Sequence, residues 1–371
     1  MRLIPIECIK KGSKLGRTIF DDEGKVLLKA GVELTEQVLK RVEELNILSL
    51  YIEDEETSKE IIEDVIKPEI RQKTIKRVKE AFTNVERISM ETDINNDITR
   101  KLQERRNRQY FSGILEAAKE LIHNILERKD VMLALVDIKS LNNYAYQHSV
   151  NVAIISLVMG ISLKMTEEEL TDLCIGALTH DIGKTFIPKE IAFGDYQLSD
   201  EDRLLIDTHP RKWYDYLKDV LNFKTSICLV ALQHHERIDG KGYPIGIDGS
   251  KISLYSKIVA IADTYDTLTS DMQNRRAIPQ SQALEYIMAH ASVIFDYEMV
   301  RVFNRILIAY PNGTIVKLSN GDIALVQKTP PNYPLRPTVK IIKSKNPNII
   351  GRKVDLINQI SIVISDIEYN A

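Results

Sequence analysis

A long run of helical periodicity is the feature that most limits how this chain can fold. From residue 111 onward, apolar residues return at the three- and four-residue spacing of an amphipathic helix, and several such segments follow, to about residue 308. Residues 148–163 are apolar on nearly every side, which predicts a central helix that is buried all round. We therefore expect a helical domain over residues 109–309, packed around one buried helix.

Three further segments are predicted around this region. Residues 1–52 alternate between strand-like and helix-like patterns, and a hairpin pattern near residues 18–28 indicates a small α/β regulatory unit. Residues 53–108 are highly charged and predict a helical linker with solvated faces. Residues 310–371 carry a strong hairpin signal and predict a small β module. The predicted fold class is mainly α, with a small α/β N-terminal unit and a small β C-terminal module.

The composition narrows the class of protein. A net charge of −3 leaves no basic excess for binding a nucleic-acid polymer. The most apolar stretch, Val152 to Leu163, is too short to span a bilayer, and no secretory apolar segment precedes Lys10. The three cysteines lack the spacing of a metal clip and are typical of reduced thiols. We expect a cytoplasmic protein without a transmembrane segment.

Residue types that bind metals are concentrated in the helical region. Five of the seven histidines lie between positions 148 and 235. His180-Asp181 ends one predicted helix, His234-His235 ends another, and Asp263 follows an apolar run at 258–262. Burying an imidazole or a carboxylate without a partner is costly, and a metal ion satisfies many such groups at once. Imidazole combined with carboxylate suits Fe, Mn or Zn.

Each of these residues has an ordinary structural explanation when it is considered alone. A single His148 or His209 is more often a hydrogen-bonded core histidine, and a single Asp263 is more often a cap or an ion-pair partner. A histidine pair at the end of a helix also complements the helix dipole. Together, however, these explanations require a whole set of buried polar groups in one domain, so we favour a metal site. His123 and His290 are assigned no role.

The order of these residues resembles the HD-GYP family, a subgroup of the HD-domain metal-dependent phosphohydrolases. The family's motifs appear here in the family's order: His148, His180-Asp181, His209-Pro210, His234-His235-Glu236, Asp239-Gly240-Lys241-Gly242-Tyr243-Pro244 and Asp263. The resemblance covers roughly residues 110–310. It implies an all-helical HD-type domain and a cyclic di-GMP phosphodiesterase that acts in bacterial signalling.

The resemblance also implies a cluster of two divalent transition-metal ions, with Fe or Mn expected. One ion would be held by His148, His180, Asp181 and Asp263. The other would be held by His209, His234 and His235, with Asp181 bridging the two. Some family members carry a glutamate ligand one helical turn before the first histidine. Tyr144 stands at that position, so we expect two metal ions and not three.

The implied reaction is hydrolysis of cyclic di-GMP to pGpG, with further cleavage to GMP left open. Two close cations make water acidic enough to attack a phosphodiester at neutral pH. Asp181 and Lys184 are the predicted catalytic residues, and Lys184 would place its cation against a phosphate oxygen. Without the resemblance, Lys184 would be an ordinary lysine near a helix C-terminus. Gly242, Tyr243 and Pro244 are predicted to shape the substrate groove.

Three positions depart from the family's usual sequence. Met272 replaces the first of two arginines, whereas Arg275 matches the second and is expected to contact a substrate phosphate. Trp213 stands where a small residue usually follows His-Pro, and Tyr297 replaces the usual proline after Phe-Asp. These departures bear on the identity of the substrate more than on hydrolysis.

Three functions therefore stay open. The first is a cyclic di-GMP phosphodiesterase, and the second is a phosphodiesterase for another cyclic dinucleotide, such as a mixed GMP–AMP molecule, which Met272 suggests. The third is a non-catalytic protein that binds the dinucleotide or a partner, against which the intact set of ligand positions argues. A homodimer and signalling partner proteins are compatible with the sequence, which does not decide either.

Overall fold

The computed structural model describes residues 1–21, 25–45, 47–53, 65–90, 97–128, 143–193, 198–272 and 275–369. Parts of the sequence predictions lie outside these ranges: the loop of the first hairpin at 22–24, the portions 54–64 and 91–96 of the predicted linker, the portions 129–142 and 194–197 of the predicted helical domain, and positions 273–274 between Met272 and Arg275. Within the described ranges the chain is mainly α, and the predicted fold class is confirmed.

The N-terminal unit combines short strands with one helix. Its elements are β1 (Arg2–Pro5), β2 (Lys14–Leu15), β3 (Ile19–Phe20), β4 (Val26–Leu28), α1 (Glu36–Glu44) and β5 (Ser49–Glu53). Strand β5 pairs with β1 and β2 in an antiparallel sheet, and β3 pairs with β4 as the hairpin pattern predicts. The Thr35 hydroxyl accepts a hydrogen bond from the Val38 amide and so fixes the start of α1. The unit has its own small apolar core.

The helical region forms the body of the molecule. Its α-helices are α2 (Pro68–Met90), α3 (Asp97–Leu126), α4 (Tyr144–Ser162), α5 (Glu167–Thr179), α6 (Lys189–Ala192), α7 (Asp200–Ile206), α8 (His209–Asp219), α9 (Thr225–Gln233), α10 (Leu254–Leu268), α11 (Gln280–Ala289) and α12 (Tyr297–Ile306). As predicted, α4 is buried without a break from residue 147 to residue 160. Helices α2, α5, α10 and α12 pack around it. No helix in the described ranges is both long enough and apolar enough to cross a membrane.

The segment predicted as a charged linker is helical, but it is not solvated on all sides. Helix α2 buries an apolar stripe in the same core as α4: Ile75, Val78, Phe82 and Val85. Its cations pair with α3, where Arg77 lies 2.8 Å from Glu116. The high density of charge hid this stripe from the periodicity argument, because charged residues fill the positions between the apolar ones. The boundary expected at residue 108 falls inside α3, and the division into domains stays a prediction.

The C-terminal β module is a single antiparallel sheet. Its strands are β6 (Ile315–Leu318), β7 (Ile323–Lys328), β8 (Thr338–Lys343), β9 (Lys353–Asp355) and β10 (Ile364–Ile367), in the order β10-β6-β7-β8-β9. Gly321 has a φ of +88° in the turn between β6 and β7, a conformation that glycine adopts without steric cost. The inner face of the sheet joins the apolar core of the helical region.

Candidate metal centre

Most of the predicted ligands lie at the ends of helices that meet at one place. His148 and Asp263 lie within α4 and α10, His180 and Asp181 directly follow α5, His209 is the first residue of α8, and His234 and His235 directly follow α9. Six of the seven are buried, and His235 is partly buried. Gly183 lets the chain after Asp181 pass close to α8, because a Cβ there would collide with the His209 carbonyl and the Trp213 side chain.

The seven side chains form two adjoining groups that share Asp181. In each group the potential ligand atoms lie within 4.8 Å of one another: Asp181, His209, His234 and His235 in the first, and His148, His180 and Asp263 in the second. One oxygen of Asp181 faces the first group, 3.3 Å from His209 Nε2 and 3.8 Å from His234 Nε2. Its other oxygen faces the second group, 3.7 Å from His180 Nε2 and 4.0 Å from His148 Nε2.

Backbone carbonyls fix the orientation of three imidazole rings. The Nδ1 atoms of His180, His209 and His234 donate to carbonyl oxygens of the preceding helical turn, at 2.8, 2.8 and 3.0 Å. A carbonyl only accepts, so the proton sits on Nδ1 and the lone pair on Nε2 faces the cluster. This is the tautomer that a metal ion requires.

Several acceptors in the cluster lack a hydrogen-bond donor. The Nε2 atoms of His180, His209 and His234 and one carboxylate oxygen of Asp181 are buried and have no hydrogen-bond partner among the described residues. Buried unpaired acceptors are expensive, because nothing replaces the water they lose. Nitrogen and carboxylate acceptors that converge without a donor fit a cation, so the residues present fit a pair of divalent metal ions.

Burial keeps most of these imidazoles in the neutral form. It lowers the pKa of His180 and His234, and it lowers the pKa of His235 to about 3. Asp181 behaves oppositely, because nearby positive charge, chiefly that of Lys184, overcomes the effect of burial and holds its pKa well below the usual range. Neutral imidazoles around an ionised carboxylate are the protonation states in which these groups bind metals.

His148 lies between two carboxylates. Burial alone would lower its pKa, but hydrogen bonds with Asp263 and Asp266 outweigh burial and raise the pKa to about 9. The Nε2 atom lies 3.1 Å from Asp263, within the second group. A metal ion at that position would take the place of the proton that His148 and Asp263 share.

Asp266 is a site residue that the sequence argument missed. Its carboxylate lies 2.8 Å from His148 Nδ1 and is completely buried. It therefore holds His148 with Nε2 directed at the cluster, as the backbone carbonyls do for the other rings. Its position three residues after Asp263 on α10 places both carboxylates on one helical face, which is the signal that could have found it.

We expect Asp266→Ala to weaken Mn²⁺ binding about 10–100-fold, the usual effect of losing a group that orients a metal-bound histidine. Titration calorimetry of the metal-free protein measures this directly. Asp172→Ala is a matched control, because Asp172 is also a buried carboxylate on a helix but pairs with Lys224 and Ser226. Equal Mn²⁺ affinity in wild type and Asp266→Ala would contradict the orienting role.

The predicted substrate loop lies against the cluster. The Tyr243 ring stacks on His235 with ring centroids 4.6 Å apart, and the Tyr243–Pro244 peptide bond is cis. Gly242 has no room for a side chain, since a Cβ would lie 2.5 Å from the Arg237 nitrogen and 2.6 Å from the His235 carbonyl oxygen. The loop and the His234-His235 pair thus pack together as one unit.

Glu236 holds this loop in place, a role that the sequence did not reveal. Its buried carboxylate accepts hydrogen bonds from the backbone amides of Ile245 at 2.8 Å, Gly246 at 3.0 Å and Ile247 at 3.1 Å. Charged acceptors make stronger hydrogen bonds than neutral ones. The residue that follows the histidine pair therefore fixes the course of the loop beyond Pro244.

The two predicted cationic contacts differ in placement. Lys184 Nζ lies 2.5 Å from Asp181, and a quarter of its side chain is exposed, so it stands at the border between the cluster and solvent. The Arg275 guanidinium instead donates to the Thr267 carbonyl near the end of α10, and it lies 4.0 Å from the sulfur of Met272. The structure therefore brings Lys184 to the cluster and shows Arg275 engaged with the backbone.

The other two departures from the family's sequence are not among the potential metal ligands. The Trp213 side chain is fully buried and stacks on Tyr216, with ring centroids 5.6 Å apart. Tyr297 is exposed at the first position of α12. Trp213 therefore changes the packing of the core and Tyr297 changes the surface, and neither alters the set of potential ligands. Tyr144, at the place of the family's additional glutamate, stacks on His148 with ring centroids 5.4 Å apart.

Comparison with known proteins finds a family model for the helical region and another for the C-terminal sheet. A family model described as HD domain matches residues 120–299, which contain all seven clustered residues. This part of the chain matches the HD domain family. A second model, described as KOW domain associated with HD domain, matches residues 315–368 and so covers the C-terminal sheet. The predicted HD-type fold is confirmed.

Three curated relatives are phosphodiesterases by name. A cyclic di-GMP phosphodiesterase of Pseudomonas aeruginosa is 31% identical over 61% of this chain and 54% of the relative. The cyclic di-GMP phosphodiesterase PdeB of Borreliella burgdorferi is 29% identical over 57% and 55%, respectively. The 3'3'-cGAMP-specific phosphodiesterase 1 of Vibrio cholerae is 33% identical over 46% and 38%. The chain thus spans about half the length of the first two relatives, and less of the third.

Proposed function

We propose that this chain is a metal-dependent phosphodiesterase of the HD-GYP type that hydrolyses cyclic dinucleotides, with cyclic di-GMP as the substrate. The observation that carries the proposal is the convergence of seven nitrogen and oxygen ligands into two groups that share Asp181. The relatives that bear this activity support the choice of reaction. The motifs at 234–236 and 239–244 support the subgroup.

The ligand assignment follows the two groups. His148, His180, Asp181 and Asp263 would hold one divalent ion, and His209, His234, His235 and Asp181 would hold the other. When bound, such ions supply Lewis acidity, which activates water and neutralises the charge of a phosphodiester. The mixed imidazole and carboxylate set suits Fe or Mn.

Lys184 would act on the phosphate. Its ammonium group is held by Asp181 at the edge of the buried cluster, where part of the side chain remains accessible. A cation fixed in advance beside the reacting phosphate stabilises the charge that develops there, and it does so more strongly in a site that excludes water. Asp181 has two roles, because it joins the metal groups and also orients this lysine.

The loop that ends at Pro244 forms the neighbouring wall of the proposed groove. Glu236 anchors the amides of residues 245–247, and Tyr243 covers one face of His235. These contacts fix the loop before substrate arrives, so binding costs little ordering of the chain. Cleavage of one phosphodiester of cyclic di-GMP would give pGpG, and a second cleavage would give GMP.

A second substrate has specific support. The Vibrio cholerae relative is named for 3'3'-cGAMP, and Met272 offers a soft apolar contact where the HD-GYP pattern has an arginine. A mixed dinucleotide differs from cyclic di-GMP in one base only. The metal cluster and Lys184 would act on either molecule, and the residues around Met272 would choose between them.

The decisive experiment is turnover by the full chain after anaerobic loading with Fe²⁺ or Mn²⁺. Cyclic di-GMP, 3'3'-cGAMP and a linear dinucleotide are supplied separately, and products are separated by chromatography. We expect metal-dependent conversion of cyclic di-GMP to pGpG with the highest kcat/KM of the panel. A higher kcat/KM for 3'3'-cGAMP would favour the second substrate. Full metal loading without turnover of any substrate would identify a receptor and overturn the proposed enzyme.

We expect Met272→Arg to lower the KM for cyclic di-GMP about tenfold or more without changing metal content. An arginine offers a fork of donors to a phosphate or a guanine edge, and a charged hydrogen bond contributes roughly 1.5–3 kcal/mol. Met288→Arg is the control, since Met288 is exposed on α11 and the same charge is added there. No gain in Met272→Arg would show that Met272 does not face the substrate.

A further inference from the structure

The charge of the chain is divided unevenly, and the C-terminal β module is basic. Residues 310–371 carry eight lysines and arginines against four acidic residues, a net charge of +4, although the whole chain has a net charge of −3. No acidic residue occurs between Asp322 and Asp355. The whole-chain charge is therefore a poor measure of this module, whose local basic excess attracts polyanions.

Five of these cations lie on one hairpin, formed by β8, β9 and the loop between them. We call residues 338–353 the basic hairpin. It contains no acidic residue, and all five of its cations are exposed: Lys340, Lys343, Lys345, Arg352 and Lys353. In the part of the chain that the structure describes, none of the five forms an ion pair with an acidic side chain. Their charges are thus available to an external anion.

The pairing of the two strands places two of these charges opposite each other. Lys340 on β8 lies directly across from Lys353 on β9 in the antiparallel register. Both are exposed, whereas the neighbouring pair, Val339 and Val354, packs against the apolar core. Like charges directly opposite each other in a sheet are destabilising. The lysine pair therefore does not serve the stability of the sheet, and a role in binding explains it.

The loop of the basic hairpin also exposes one large apolar side chain. Ile349 packs against the apolar core, whereas the next residue, Ile350, is 48% exposed. Backbone hydrogen bonds hold the loop, from the Gly351 amide to the Ile341 carbonyl at 2.8 Å and from the Ile341 amide to the Arg352 carbonyl at 3.0 Å. The Ile350 side chain is therefore presented to solvent at a fixed position beside the exposed cations.

Exposed cations around an apolar side chain match the surface of an anionic membrane. Acidic lipid headgroups attract lysine and arginine, and an aliphatic side chain enters the boundary between headgroups and acyl chains. A single-stranded nucleic acid fits less well, because sites for it stack the bases on aromatic side chains and the basic hairpin contains no aromatic residue. Charge and side-chain chemistry together favour a lipid surface over a nucleic acid.

We propose that the basic hairpin is a docking surface for a membrane rich in anionic phospholipids, with Ile350 entering the headgroup region. The binding is peripheral and reversible, since five cations and one aliphatic side chain supply far less than a membrane-spanning helix does. The surface contains none of the seven clustered residues. The inference therefore goes beyond the proposed phosphodiesterase activity and does not depend on it.

The test is co-sedimentation of the metal-loaded full chain, freed of unbound metal, with phosphatidylcholine vesicles that contain about 30% phosphatidylglycerol, an anionic lipid. We expect binding that weakens at least about tenfold when NaCl rises from about 0.1 M to about 1 M, because salt screens exposed charges. Vesicles of phosphatidylcholine alone should bind much less protein. Equal binding to both kinds of vesicle, or binding to neither, would overturn the proposal.

Lys340→Gln combined with Lys353→Gln should weaken vesicle binding about tenfold or more, since each lysine near an anionic surface contributes about fivefold. The midpoint of thermal unfolding should stay unchanged or rise, because the opposed charges are removed. Lys40→Gln combined with Lys189→Gln removes the same charge from exposed positions outside the β module and should leave binding unchanged. Wild-type binding by the Lys340 and Lys353 double variant would overturn the docking surface.

Ile350→Ser should weaken the binding that remains in about 1 M NaCl about fivefold, because the apolar contact is the part that salt does not screen. Leu204→Ser is the control, since Leu204 is an exposed aliphatic residue on α7. Unchanged binding by Ile350→Ser would overturn the entry of this side chain into the headgroup region. Retention of the chain by single-stranded RNA and not by anionic vesicles would overturn the membrane proposal and identify a nucleic acid as the partner.

Discussion

Asp181→Ala is expected to lose bound metal and hydrolytic activity together. The two carboxylate oxygens of Asp181 face different ligand groups, so its removal takes a ligand from both metal positions at once. Losing a residue that only orients a ligand costs about 10–100-fold, and a shared ligand should therefore cost more than about 100-fold in turnover. Metal analysis of the purified variant and product chromatography measure the two effects on the same sample.

The control for this variant is Asp215→Ala. Asp215 lies on α8, the helix that begins with His209, but it forms an exposed pair with Arg211. This variant should keep wild-type metal content and turnover, which separates loss of a ligand from general damage to the helix. Full metal content and activity in Asp181→Ala would remove the basis for the ligand assignment.

Lys184→Ala is expected to keep its metal ions and to lose about 10²–10³ in turnover, the usual effect of removing one preorganised charge contact to a transition state. The lysine offers no ligand atom to either group, yet its Nζ is fixed 2.5 Å from Asp181 at the accessible edge of the cluster. The measurement is kcat at saturating substrate, with metal content determined in parallel.

Lys189→Ala serves as the matched control, because Lys189 begins the next short helix and is exposed. It should turn over substrate at the wild-type rate. Two outcomes would contradict the role given to Lys184. An unchanged kcat would make it a surface residue, and a loss of metal would show that it acts by keeping Asp181 ionised and in place.

The sequence predicted most of the fold and the composition of the cluster, for a physical reason. Apolar periodicity records which faces are buried, and buried polar residues such as Asp263 stand out against an apolar background. Helix α2 was harder, because its buried stripe is interleaved with charged residues that pair with α3. The charged residues on the solvated face of such a helix dominate its local composition, so the apolar residues of its buried face are hard to recognise from the sequence.

The supporting contacts of the cluster were not predictable in the same way. Asp266 meets His148 across 118 positions of the chain, a pairing that only the packing of α4 against α10 creates. The carbonyl partners of His180, His209 and His234 depend on where each helix ends and on the rotation of the ring. Periodicity specifies the face of a helix but not these final contacts.

The contacts made by Glu236 have a consequence for how substrate choice can change. Its carboxylate binds the main-chain amides of residues 245–247 and none of their side chains. Ile245 and Ile247 can therefore be exchanged without releasing the loop, whereas Gly246, with a φ of +71°, is restricted. The side chains at this wall of the proposed groove can thus diversify, in evolution or in a combinatorial library, while the adjoining histidine pair is left untouched.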